Sequence, residues 1–581
     1  MEKIVLKIKS YCYNINTLIQ MIIQFIFVMT NNDGRGRWRV DRKPNIVLIL
    51  NDDMGYSDIG CYGGEVDTPH LNQLAASGLR FTQFYNTARC SPSRASLLTG
   101  LHPHQTGIGV LTYDMGPEGY PGNLNKECVT IAEVLKESGY ATYMSGKWHI
   151  AGSLLEPTDA WPMQRGFDQF YGTIIGAGSF YDPNTLTRGN DNIEHEAAED
   201  ENFFYTDAIS DQAVRYIEDH TARHPDQPFF QYVAYTAPHW PLHAHEEDIA
   251  KYKGRFDSGW DRLREERLQR MIDMGLIDPS WRLTGRDASQ PAWEDAEHKE
   301  WLLRCMEVYA AQIDRMDQGI GKIIRSLEQT GQLENTVIIF LSDNGACAED
   351  IPVNVSGEEL VDQLMIAKLK TRQGEDVVFG NHPHIMPGPE NTYQSYGKAW
   401  ANLSNTPFRL YKHWAHEGGI ATPFIVHWPA GIAEKGALRH TPAQLTDVMA
   451  TVLELTGSSY PAAYKGNAIL PLEGQSLVPV IASDTFERKP LYMEHEGNAC
   501  VRAGKWKLVR NYPSDWELFD MEADRTEMND LAGVYPERVK EMSEQYEAWA
   551  ARCKVVPRHK IVDILKRNGV QAFWEEEQAP H

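Results

Sequence analysis

The chain has 581 residues and a formal net charge of -24, with 42% hydrophobic and 23% charged residues. That length accommodates one large core and a second, smaller domain, and the composition is that of an ordinary folded protein. The acidic excess argues against a nucleic-acid binder, which needs basic surface to neutralise phosphates, but a few converging Lys and Arg residues still make a local anion pocket.

Lys3, Lys7 and Lys9 precede an apolar stretch, LIQMIIQFIFVM, from Leu18 to Met29. It is shorter than the roughly 20 apolar residues of a membrane span, so no stable span is expected. No small-residue cleavage site follows it, and Met29 sits just ahead of a polar, basic stretch. A secretory signal and a misassigned start are both open, and with them a periplasmic or secreted against a cytoplasmic location. Residues 1–43 read as a disordered or targeting lead-in.

Folded sequence begins at Pro44. NIVLIL, from Asn45 to Leu50, is a continuous apolar run of the kind buried on both faces of a parallel sheet. Thr68-Pro69 reads as cap and first residue of a helix that Gly78 stops. The alternation continues with VTIAEVLKESG as helix and YATYMSG as strand, then DAISDQAVRYIEDH as helix and PFFQYVAYTA as strand. Trp301 to Gln329 is helical, and NTVIIFLSD and ATPFIVHWP are strands. This pattern predicts an α/β fold, a large mostly parallel sheet flanked by helices over residues 44–485. Residues 346–404 interrupt it as a polar insertion rich in Gly and Pro, expected to help shape a pocket. From about Lys489 short alternating strands and tight turns predict a C-terminal α+β subdomain over 486–581. It would be a small antiparallel sheet packed by a helix from Glu537 onward.

In open α/β sheets ligands bind beyond the carboxyl ends of the strands. Asn51-Asp52-Asp53, Lys147-Trp148-His149, His239 and Asp343-Asn344 all follow predicted strands, and Cys90 follows a short one. Singly, each has a bland reading as a cap, a turn or a packed ring. Together they define one sheet edge. Asp52, Asp53, Asp343 and Asn344 offer only oxygen, which suits Ca²⁺ or Mg²⁺ and not zinc. Cys90 sits at the start of a helix, where backbone amides favour an anion, with Arg94 one turn along. By itself it would be a packed thiol or a low-pKa thiolate nucleophile. The other cysteines in the folded region (Cys61, Cys128, Cys305, Cys347, Cys500 and Cys553) form no paired spacing and read as ordinary thiols.

The run C-S-P-S-R at 90–94, followed by LLTG, closely resembles the signature of type I sulfatases of the alkaline phosphatase superfamily, bacterial arylsulfatases especially. NDDMGYSDIG, GKWH, APHWPLHA, LSDNG and TPFRLYKHWAHEGGIATP resemble further family motifs in the expected order, from Pro44 to Pro429. The resemblance implies a sulfuric ester hydrolase in which Cys90 is oxidised to formylglycine (3-oxoalanine) by a formylglycine-generating enzyme. It implies a metal, Ca²⁺ before Mg²⁺, on Asp52, Asp53, Asp343, Asn344 and residue 90. Arg94 would stabilise the hydrated aldehyde, Lys147 and Lys412 would hold sulfate or leaving-group oxygens, His149 would be the base, and His239 the general acid. His104 is a weaker candidate at the pocket rim. The substrate would be a sulfated small molecule or saccharide; a phosphonate or phosphate monoester is the alternative within the superfamily. Specificity is expected from residues 346–404, 110–122 and 240–245, with Tyr113, Tyr120, Tyr393, Tyr396 and Trp400 as candidate stacking rings.

Overall fold

The computed structural model describes residues 42–568, so the lead-in before Arg42, with its apolar stretch, lies outside the described residues. In chain order the elements that position the site are β1 (Asn45–Asn51), α1 (Pro69–Ser77), β2 (Leu79–Tyr85), α2 (Cys90–Thr99), β3 (Ala141–Gly146) and β4 (Gln169–Thr173). There follow α3 (Tyr205–Arg223), β5 (Phe229–Ala234), α4 (Lys299–Gln329), β6 (Thr336–Ser342) and β7 (Ala421–His427). They build an 11-stranded sheet whose central order is β2-β7-β6-β1-β5-β3-β4.

Every residue of β1 is buried. Val47 and Ile49 feed one core, with α1, α3 and α4, and Ile46, Leu48 and Leu50 feed another, with α2 and the helix Ile131–Glu137. Alternate side chains of a strand point to opposite faces, so a run with no polar position belongs in the middle of a three-layer sandwich. The five strands β6, β1, β5, β3 and β4 are parallel, as the alternation predicts. β7 departs from this and runs antiparallel to both β2 and β6. Strand direction leaves no mark on hydrophobic periodicity, so the sequence alone is silent on it.

α1 starts at Pro69 as expected, but Thr68 does not cap it. The Thr68 hydroxyl accepts from Gly60 N at 3.0 Å. The helix N-terminus is instead capped by Asp317 of α4, whose carboxylate accepts from Leu71 N at 2.8 Å and His70 N at 3.1 Å. At the C-terminal end β8 (Leu491–His495), β9 (Asn498–Ala503), β10 (Trp506–Arg510) and β11 (Glu517–Asp520) form a four-stranded antiparallel sheet covered by α5 (Pro536–Cys553). The expected single terminal helix breaks at Lys554, which has a φ of 62°, and α6 (Arg558–Arg567) follows. Among the described residues no helix is long and apolar enough to cross a membrane.

Candidate active site

β1, β3, β5 and β6 end at one edge, and each is followed there by its predicted polar cluster. The antiparallel pairing brings β2 and β7 to the same edge with opposite ends. β2 finishes there at Tyr85, opposite Ala421 at the start of β7. Cys90 therefore arrives just after β2, and Lys412 just before β7. Asp52, Asp53, Cys90, Arg94, Lys147, His239, Asp343, Asn344 and Lys412 are all buried, and hydrogen bonds and ion pairs tie most of them together.

Lys147 Nζ donates to Asp52 Oδ2 at 2.5 Å, and Lys412 Nζ to Asp53 Oδ2 at 2.8 Å. Arg94 donates to Asp343 Oδ2 at 2.9 Å and to the Lys147 carbonyl at 3.0 Å, so it fixes both a carboxylate and the chain carrying Lys147. Asn344 Nδ2 donates to Asp53 Oδ1 at 2.6 Å. His239 Nε2 lies 3.3 Å from Asp53 Oδ2 and 3.5 Å from Lys412 Nζ. The His149 ring lies so close to Gly176 that a Cβ there would come within 2.2 Å of it, so a larger residue would displace the ring. Asp53 and His149 hold left-handed backbone, with φ of 66° and 53°. Strain of this kind persists where the surroundings over-determine it, commonly at functional sites.

Burial would raise the Asp52 carboxyl, but the charges of Lys147 and Arg94 outweigh it and hold that group ionised well below its ordinary range. Burial, then the Asp52 charge, pushes Asp343 the other way. A further positive charge beside Asp52 and Asp343 would favour the ionised form of both. Two buried oxygens, Asp52 Oδ1 and Asn344 Oδ1, have no partner. A cation would satisfy both the charge and the oxygens, and an all-oxygen set fits a hard one. Burial also raises the Cys90 thiol, against the pull of Lys147 and Lys412, which argues against a conventional thiolate nucleophile. Burial, with Lys147 and Arg94, holds His149 well below its usual value.

Cys90, His149, His239 and Lys412 open into a cavity of about 320 Å³. The 346–404 insertion supplies much of its wall, along with Leu111 to Tyr113 and Trp240. Tyr113 and Tyr393 line it, but three of the five candidate rings do not. Tyr120 is buried under α6, Tyr396 stacks on Tyr309 with centroids 4.2 Å apart, and Trp400 packs against Trp260 and Trp293. His104 is also misplaced as a rim residue: it is buried, with Nε2 2.6 Å from Glu494 Oε2. The sequence reading overlooked Arg89 and Glu349, paired at 2.7 Å beside the cavity; Glu349 also accepts from Trp240 Nε1 at 3.0 Å. Neither follows directly on a strand, and Glu349 lies inside the insertion, so no periodicity signals them.

A mostly parallel sheet with carboxylates, lysines and histidines gathered at its carboxyl edge places a polar site where open α/β sheets bind their ligands. Residues 44–458 match the sulfatase family, and 408–551 match the family described as N-sulphoglucosamine sulphohydrolase, C-terminal. The chain belongs to the sulfatase family and is a sulfuric ester hydrolase of type I. It is 32% identical to an uncharacterised sulfatase of Schizosaccharomyces pombe over 89% of this chain and 95% of that one. It is 33% identical to an arylsulfatase of Klebsiella aerogenes, over 75% and 91%. An N-acetylgalactosamine-6-O-sulfatase of Bacteroides thetaiotaomicron is 25% identical over 88% and 94%. The fold is shared with the crystal structure of Ps i-CgsB in complex with k-i-k-neocarrahexaose, at a TM-score of 0.64 and 22% identity, covering 93% of this chain and all of that one. The family generally uses a formylglycine and a divalent metal.

Proposed function

We propose that this enzyme hydrolyses sulfate monoesters of aryl or carbohydrate alcohols, with Cys90 matured to formylglycine and Ca²⁺, in preference to Mg²⁺, held by Asp52, Asp53, Asp343, Asn344 and residue 90. The observation that carries the reading is the pair of unpartnered buried oxygens on Asp52 and Asn344, set among carboxylates at the edge where Cys90 begins α2. Once bound, the cation offsets the negative charge of the sulfate group. A hydrated formylglycine at position 90 would supply two hydroxyls on one carbon, a nucleophile towards sulfur and a second group for a base to deprotonate.

The remaining roles fall to the chain's own side chains. Lys147 and Lys412 hold sulfate oxygens against the repulsion that an anionic ester presents to a nucleophile. Arg94 steadies Asp343 and the hydrated residue 90. His239 gives a proton to the departing alcohol, and His149, kept neutral by burial, takes one from the second hydroxyl. Maturation needs a formylglycine-generating enzyme as partner. Cys90 is only 3% exposed in the folded chain, so that enzyme must reach it before the fold closes.

Mass spectrometry of the active enzyme should show the Cys90 peptide about 18 Da lighter than the unmodified thiol form. An unmodified thiol in active enzyme would sink the mechanism. Asp343→Ala should abolish turnover of sulfate monoesters with the fold retained, and sulfate esters should be turned over faster than the matching phosphate esters.

A further inference from the structure

The cavity in front of Cys90 is walled mainly by hydrocarbon. Ile175, Ile351, Leu360, Ile366 and Tyr393 are buried together in one apolar cluster, with Trp240 packed against it. Leu155 and Val353, chain neighbours of the lining residues Leu154 and Pro352, are 61% and 56% exposed. Exposed apolar side chains next to a pocket mouth are the kind of surface that marks a binding site.

The charges of the wall are as selective as its hydrocarbon. Beyond Lys412, the lining residues include one further Lys or Arg, namely Arg89, and that side chain is ion-paired with Glu349 at 2.7 Å. Glu349 and Asp350 also line the cavity. Burial raises the Glu349 carboxyl, but Lys412 and Arg89 outweigh this and hold it ionised. A second anionic group on a substrate would meet carboxylates where it needs cations. The hydroxyls of a saccharide would meet aliphatic side chains, and burying polar groups without partners is costly.

We infer that the natural leaving group is a bulky apolar alcohol and that its ester carries one anion only: a monosulfate of a polycyclic aryl or long alkyl alcohol, not a polyanionic saccharide. This deepens the sulfate-ester reading above and rests on it. The sulfate sits with the polar groups at the sheet edge, the hydrocarbon fills the apolar cluster, and the wall's two Lys and Arg side chains are already paired with carboxylates, which leaves a second anion no partner.

The test uses enzyme whose position 90 has been verified as formylglycine. kcat/KM for 2-naphthyl sulfate and decyl sulfate should exceed that for N-acetylglucosamine 6-sulfate at least about tenfold, and a second sulfate on the naphthyl ring should cost about tenfold or more. Val355→Asp and Leu364→Asp, both at half-buried lining positions, should raise KM for the two large apolar esters about tenfold, and more than for the smaller p-nitrophenyl sulfate. Calorimetry with the Cys90→Ala chain reads the pocket without turnover, and 2-naphthyl sulfate should bind tighter than a disulfated disaccharide. A preference for the saccharides in turnover, or their equal or tighter binding, overturns the inference. Tight naphthyl sulfate binding with no ester hydrolysed by the matured enzyme would support the pocket assignment and refute the catalytic reading instead.

Discussion

His239 Nδ1 lies 2.6 Å from the Trp240 carbonyl, which only accepts, so that nitrogen carries the hydrogen and Nε2 is the atom facing Asp53 and Lys412. His149 Nδ1 is buried with no partner. Burial, opposed in part by Asp53, lowers the first ring, and burial with Lys147 lowers the second further. A base is needed in its neutral form and an acid in its charged form, so the more strongly depressed ring suits the base. An anionic ester arriving beside His239 favours its protonation. His239→Ala should therefore slow a poor leaving group such as an alkyl alcohol by about 10²- to 10⁴-fold, and p-nitrophenol, which leaves unprotonated, far less. An equal loss for both leaving groups would assign His239 to sulfate binding alone. His149→Ala should release alcohol in a burst equal to the enzyme present and then stall, read by rapid quench. At this scale the sequence was informative wherever an apolar run stopped abruptly at a polar pair, as at Leu50 and Leu341. It misled at His104, because the partner that buries that ring, Glu494, lies 390 residues away.

The segment carrying Lys412 is held by the C-terminal sheet through an ionic joint. Glu417, four residues before β7, pairs with Lys507 at 2.9 Å and Arg525 at 2.8 Å, all three side chains at most 1% exposed. Lys507 also pairs with Glu527 at 2.7 Å. Burial would raise the Glu417 carboxyl, but Lys507, Arg525 and Arg502 lower it to about 2. A carboxyl depressed in the folded state contributes stability that is complete above its ordinary value near 4.5 and is lost as pH falls toward 2. Unfolding free energies from urea titrations should accordingly fall between pH 5 and pH 2.5, by on the order of a few kcal/mol from this group, and Glu417→Gln should flatten that part of the profile. Lys507→Ala, which takes the paired cation from buried Glu527 and leaves Glu417 to Arg525, should destabilise the fold by about 3–5 kcal/mol; a loss under about 1 kcal/mol would show that the joint is not under electrostatic tension. The elements that build this joint were only partly legible. β8 to β11 were expected as short antiparallel strands, but their attachment to the loop before β7 depends on pairs spanning about a hundred residues. The apolar wall of the insertion was hidden for a related reason. Its hydrophobic residues are interleaved with Gly, Pro and charge, and they become one surface only when folded against Ile175 and Trp240.

Across the whole molecule, the site gathers residues from Asp52 to Lys412, delivered by the ends of six strands, so no fragment of the chain contains it. The same convergence concentrates like charge. Asp52, Asp53 and Asp343 are at most 1% exposed, and the folded sheet has to accommodate them whether or not a cation is present. An ion that binds only the assembled edge stabilises the whole fold by mass action, about 2.7 kcal/mol at a hundredfold excess over Kd. Treatment with a calcium chelator should thus abolish activity and also lower the melting temperature by several degrees, with both restored by Ca²⁺ and less well by Mg²⁺. The Asp343→Ala chain should show no chelator shift, since its site is already broken. Loss of activity to a zinc-selective chelator, with Ca²⁺ unable to restore it, would contradict the all-oxygen ligand set and move the metal toward His239. That ring and the two aspartates place their donor atoms within 4.8 Å of one another, so the donor chemistry and not the spacing is what the experiment decides.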